Sequence, residues 1–214
     1  MKKNLLAALF IGAAVLPSLQ GCFPIIAAGV TTGVLATVDR RSLGTQTEDE
    51  SIEWKSSSRV SDKLGDKAHL NFTSFNRKVL MTGEVASAEA KAEAERLVIG
   101  IPNVQGVYNE LTVGSASSYS DRSNDSFITS KIKSRSVDSG KYNPVHVKVV
   151  TEAGTAFLLG MVTQPEADSA INVARTTSGV KKVVNLLEII APAKARELDV
   201  AQSSNNKPAE VKNP

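Results

Sequence analysis

Two stretches decide the fold: Lys78-Val79-Leu80-Met81-Thr82-Gly83-Glu84-Val85 and Thr155-Ala156-Phe157-Leu158-Leu159-Gly160-Met161-Val162. Both are apolar enough for a largely buried strand, and each carries glycine where a strand is ordinarily weakened by it. Their offset is 77 residues, and it also pairs Glu89 with Glu166 and His69 with His146. After a one-residue gap the offset is 76, and Val104-Gln105-Gly106-Val107-Tyr108-Asn109 pairs with Val180-Lys181-Lys182-Val183-Val184-Asn185. Leu111 and Leu187 continue the match. A fixed offset over this length marks an internal repeat, so the chain holds two copies of one unit.

Working outward, each copy has the same order of elements. A helix is predicted near 51–63 and near 124–137, then a strand over Ala68–Thr73 and Val145–Val150 with Leu70/Phe72 and Val147/Val149 facing inward. Turns at Phe75-Asn76-Arg77 and Glu152-Ala153-Gly154 lead into the glycine-bearing strands, making hairpins. An Ala-rich helix follows, with Ser87 as cap in the first copy and Pro165 in the opening turn of the second. Third strands over Val107–Val113 and Val183–Ile190 close the units. The expected fold class is therefore mixed α/β (α+β): two αββαβ units, each a three-stranded mixed sheet with two helices on one face and a right-handed crossover between strands two and three. Units this small are marginal alone, so the copies are expected to pack on each other. The strand glycines are read as a bulge or a close approach by a helix.

The ends carry different information. Lys2 and Lys3 precede an apolar run from Leu5 to Leu16, which matches a secretory signal and is shorter than the ~20 residues of a spanning helix. Leu19-Gln20-Gly21-Cys22 then resembles a bacterial lipobox, so residues 1–21 are expected to be removed and Cys22, the only cysteine, to be acylated. One cysteine excludes an intramolecular disulfide and a multi-thiol metal site. Without residues 1–21 the chain holds 23 basic and 22 acidic side chains, a near-neutrality that argues against nucleic acid as a partner. The lipidated N-terminus and linker are placed at 22–46, the first unit at 47–113, a Ser/Gly linker at 114–120 and the second unit at 121–190. Residues 191–214 have few large apolar side chains and are expected to form a disordered tail.

The mid-strand glycine, the Ala-rich helix and the closing Val-x-x-Val-x-Asn-x-Leu pattern resemble the BON domain. Two such domains behind a lipobox resemble the dual-BON lipoproteins, across nearly all of residues 20–190. That resemblance implies an outer-membrane lipoprotein, since Phe23 and not Asp follows the cysteine, with its domains facing the periplasm. It further implies binding of anionic phospholipid (phosphatidylglycerol or cardiolipin) through the second BON domain, support of envelope integrity, and gathering at division sites.

The helix predicted at 124–137 bears on this from its own spacing. Ile128 and Ile132 form a stripe for the sheet, while Phe127, Ser130, Lys131, Ser134 and Val137 fall on another face, beside Lys133 and Arg135. Outward apolar side chains ringed by cations suit a membrane interface. The plainer reading, left open by the sequence, is that Phe127 packs at a domain–domain contact and the lysines form a solvated face. The first copy shares the charge, through Lys55 and Arg59, but has Ser51 opposite Phe127. Trp54, the sole tryptophan, is assigned to core or inter-domain packing.

No catalytic constellation is present: His69 and His146 lie in separate units as surface or edge residues with no carboxylate cluster expected beside either, and phosphate-loop patterns are absent. The expectation is a non-enzymatic protein without cofactor or metal. The alternative function is a protein-interaction module docking an envelope assembly or a cell-wall enzyme regulator.

Overall fold

The computed structural model describes residues 39–65 and 69–205. Cys22 and the signal segment lie outside them, as does the chain after Asn205. The order is α1 (Leu43–Leu64), β1 (His69–Phe75), β2 (Lys78–Val85), α2 (Ala88–Ile99), β3 (Gly106–Asn109) and β4 (Thr112–Val113) in the first unit. The second has α3 (Tyr119–Ser139), β5 (Val147–Glu152), β6 (Thr155–Val162), α4 (Gln164–Arg175) and β7 (Lys182–Ile189), followed by α5 (Pro192–Asn205).

Both sheets are mixed, as expected. β1 pairs antiparallel with β2, and β2 pairs parallel with β3 and β4. In the second unit β5 pairs antiparallel with β6, and β6 pairs parallel with β7 along eight residue pairs. The third strand of the first unit is not continuous over Val107–Val113: its ladder breaks at Glu110 and Leu111, and Leu111 turns into the core.

The glycines have a different cause from a helix approach. A Cβ on Gly83 would stand 1.9 Å from the carbonyl oxygen of His69, and one on Gly160 would stand 2.3 Å from that of His146. The crowding therefore comes from the backbone at the start of the partner strand, at the same place in both copies. Gly83 also has φ 111°, which disfavours any side chain.

Alternation sorts each strand between two cores. Val79, Met81 and Val85 face α1 and α2, joined by Ile52, Val60, Ala94 and Val98. Val147, Val149, Ala156, Leu158 and Val162 face α3 and α4, joined by Ile128, Ile132 and Ala170. The opposite faces meet in a third cluster of Phe75, Leu80, Phe157 and Leu159, flanked by Tyr108, Val150 and Leu186. The two sheets thus pack face to face, giving four layers with helices on both outer sides. This is the packing of one copy on the other that their size called for.

Three expectations need correction. Residues 192–205 form a helix instead of a disordered tail, with Ala195 buried and Asp199 2.8 Å from the Nε of Arg40. A helix that docks through one small residue and an ion pair leaves no apolar periodicity to read. The linker placed at 22–46 is already helical from Leu43, capped by Ser42, whose side chain accepts from the Thr45 N–H. Trp54 packs in neither core: it is 72% exposed. The buried stripe of α1 is Asp49, Ile52, Ser56 and Val60, and Trp54 stands opposite Ile52 on the helical wheel.

Candidate functional site

α3 begins at a capping box, in which the Ser118 hydroxyl accepts from the Asp121 N–H and the Asp121 carboxylate accepts from Ser118. It ends on Gly140, left-handed at φ 59°. Its buried stripe is Asp125, Ile128, Ile132 and Ser136. Asp125 takes the N–H groups of Ala153 and Gly154 at 2.8 Å each, fixing the β5–β6 turn in which both residues have positive φ. Asp49 does the same for Asn76 and Arg77 in the first unit, at 2.9 and 2.7 Å. This repeated acid sits at the 76-residue offset and sequence reasoning passed it over, though its recurrence was a signal.

The expected surface residues divide into apolar and tethered groups. Phe127 is 62% exposed and Val137 65% exposed, while the second core is closed without either. Ser130 and Ser134 are exposed on the same face, and the Ser130 hydroxyl donates back to the Ser126 carbonyl at 3.0 Å. The structure adds Tyr119, 85% exposed, with the Arg122 guanidinium 4.4 Å from its ring centre. At ~100° per residue Tyr119 shares the azimuth of Val137, so Tyr119, Phe127 and Val137 mark one outward stripe about 27 Å long. Tyr119 went unread because the helix was expected to start five residues later.

The cations are less free than their spacing implied. The Lys131 ammonium lies 4.8 Å from the Phe127 ring centre and donates to the Ser178 carbonyl at 2.5 Å. Arg135 donates to the Val173 carbonyl at 3.0 Å and to the hydroxyls of Thr177 and Thr176 at 2.7 and 3.0 Å. Arg135 therefore neutralises the carbonyl end of α4, Lys131 is tied to the loop after it, and both keep their charge at the surface. Lys133 is exposed. A cleft of about 390 Å³ opens between α3 and α4, lined by Arg135, Asp138, Lys141, Ser169, Asn172 and Thr176 among others. Among the described residues no helix is long and apolar enough to cross a membrane.

The BON-domain profile matches residues 49–115 and 124–191, the two structural units. The chain belongs to the BON family. It is 37% identical over 185 residues to the outer membrane lipoprotein DolP of Haemophilus influenzae, covering 86% of this chain and 95% of that one. It is 36% identical to the 21 kDa hemolysin of Actinobacillus pleuropneumoniae over 72% of this chain and 80% of the relative. The osmotically-inducible protein Y of Escherichia coli is 30% identical over 61% of this chain and 69% of its own. The chain is thus a DolP-like dual-BON protein. α3 is the first helix of its second BON domain, and α1, the equivalent helix of the first, carries Ser51 in place of Phe127.

Proposed function

We propose that this protein is an outer-membrane lipoprotein, acylated at Cys22, whose second BON domain binds anionic phospholipid from the periplasmic side through α3. The observation that carries the reading is the pair Phe127 and Val137, exposed beside cations on a helix whose core stripe is complete without them. Burial of Phe127 among acyl chains contributes about 1.5–3 kcal/mol. Each basic side chain near an anionic surface adds roughly 1 kcal/mol. Lys131, Lys133 and Arg135 supply that charge, and the α3–α4 cleft offers a phosphate headgroup Arg135, Lys141 and the hydroxyls of Ser139, Ser169 and Thr176 beside the one acid Asp138. Such a site is weak alone and effective on a protein already held at the membrane. A role in envelope integrity at division sites follows the similarity to DolP. The test is an NMR titration of residues 39–205 with phosphatidylglycerol-containing micelles. Shifts confined to α3 and the α3–α4 cleft support the reading, and shifts centred on α1 contradict it.

A second reading attaches to Trp54. With α1 and α3 on opposite outer layers, an α3 seated on lipid turns Trp54 away from the membrane, toward the periplasm. An exposed tryptophan beside Lys55 suits a protein partner, such as an envelope assembly or a cell-wall enzyme regulator.

A further inference from the structure

Both histidines stand among carboxylates, contrary to the expectation from sequence, and the two settings differ. His146 is buried, with Nε2 3.7 Å from Asp199 and Nδ1 4.0 Å from Glu166, where the Arg40 guanidinium already neutralises both acids. His69 lies between the sheets. It is the cross-strand partner of Glu84, and both point away from α1 and α2 toward the second domain. Glu152 comes from the facing strand β5, on the same side as Val150. His69 Nδ1 is 3.4 Å from Glu84 Oε2 and 4.0 Å from Glu152 Oε1, and one ligand atom from each residue lies within 4.8 Å of the others.

We propose that His69, Glu84 and Glu152 form a divalent transition-metal site of the zinc class, bridging the two BON domains. Four observations carry it. The Nδ1 atom is shut from solvent with no hydrogen-bond partner among the described residues, and in the neutral ring with its proton on Nε2 it can ligate a metal. Each carboxylate is held by a neutral donor from outside the cluster: the Asn71 amide donates to Glu152 Oε2 at 3.0 Å, and the Ser117 backbone N–H donates to Glu84 Oε2 at 3.0 Å. Outer contacts of this kind orient metal ligands. The separations suit zinc, whose N and O ligands at about 2.0–2.2 Å lie some 3.3–3.5 Å apart in a tetrahedron, so only Glu152 has to close in. An open cavity of about 210 Å³, lined by His69, Asn71, Glu152, Asp125, Arg122 and hydroxyls, gives an entry path and room for a water in the fourth position. Arg122 is the one cation lining that cavity and is stacked over Tyr119.

The repeat itself does not explain the cluster. In the second domain the position of Glu84 is Met161, so the acid belongs to one copy and meets Glu152 only because the copies pack together. Two carboxylates drawn together between sheets repel one another, and a bound cation would offset that repulsion. A bound ion would tie β1, β2 and β5 into one body and stiffen the seam between the domains.

The test uses the untagged full chain in detergent, stripped with a chelator and titrated with zinc. Thermal unfolding should shift upward with zinc, cobalt should give tetrahedral absorption bands, and the His69 ring ¹⁵N resonances should move. Asn71→Ala, which leaves all three ligands in place, should weaken zinc binding on the order of 10- to 100-fold. Glu152→Gln should abolish the zinc-dependent shift. Unchanged unfolding and unchanged His69 resonances in the wild type overturn the site, as does equal zinc affinity in the wild type and Glu152→Gln. If Glu152→Gln fails to fold, the wild-type His69 resonances and the Asn71→Ala affinity decide the question.

Discussion

Arg40 and Arg41 are adjacent in the chain and bind different domains. Arg40, 4% exposed, donates to Glu166 at 2.8 and 3.0 Å, to Asp199 at 2.8 and 3.2 Å and to the Met161 carbonyl at 2.9 Å, all in the second domain and α5. Arg41 stacks 4.0 Å over Phe75 and donates to Asp49 at 2.7 Å in the first domain. The segment leading from the N-terminus therefore enters at the seam and is fastened to both sides of it. Burial opposes charge on Arg40, but the hydrogen bonds to Asp199 and Glu166 outweigh it and hold the guanidinium above its ordinary pKa.

Removing that fastening should be costly. Arg40→Ala leaves Glu166 without its cation, and a loss of about 2–3 kcal/mol is expected, moderated because Asp199 is partly exposed. Urea unfolding measures the loss. Hydrogen exchange should show the amides of α5 opening first, since Asp199 is the α5 side of this bond.

Acid should loosen the same place. Burial raises the Glu166 pKa, but Arg40 and the Thr163 N–H and hydroxyl more than offset it, and the net displacement is downward. A depressed carboxylate contributes stability that is full above its unfolded value, about 4.3, and is lost as pH falls through the lower folded value. Wild-type stability should therefore fall through that acidic window, and Glu166→Gln should lower stability at neutral pH while flattening the fall. Denaturant midpoints across pH 2–6, a window chosen around the ordinary carboxylate value, read both effects.

The two turn-binding acids should rank in a fixed order. Asp125→Ala strips the turn N–H groups of Ala153 and Gly154, the second of them buried, of their acceptor, a loss of roughly 1–3 kcal/mol. Asp49→Ala should cost more, because Asp49 also accepts from the Ser74 hydroxyl at 2.6 Å and pairs with Arg41. Thermal unfolding of the two variants side by side checks the ranking.

Much of this was legible in the sequence where the cause is local. Strand alternation, the 77-residue offset and the Ile128/Ile132 stripe gave the fold and the outward position of Phe127. What could not be read depends on contacts between distant segments. α5 is held by Arg40, 159 positions from Asp199, and its own residues show no apolar stripe. Trp54 was misjudged because a lone aromatic was assumed to pack, whereas α1 buries the stripe of Asp49, Ile52, Ser56 and Val60 on its opposite side. Glu84 faces His69 across their own hairpin, but Glu152 comes from the facing sheet and the acids beside His146 come from α4 and α5, so no spacing within a strand announces them.

The sole tryptophan offers a check on orientation. If α3 is the lipid contact, Trp54 on the opposite layer should keep its emission maximum when anionic vesicles bind. A Trp54→Phe/Phe127→Trp double variant should shift to the blue on the same vesicles. A blue shift of Trp54 itself would place α1 at the membrane.

The most direct measurement is co-sedimentation of residues 39–205 with phosphatidylglycerol vesicles, comparing the wild type with Phe127→Glu at matched folding by circular dichroism. The expected result is binding by the wild type that falls at least about tenfold in the variant, in line with losing the burial of one aromatic side chain, and that weakens with added salt. Equal binding by the two proteins would contradict the account.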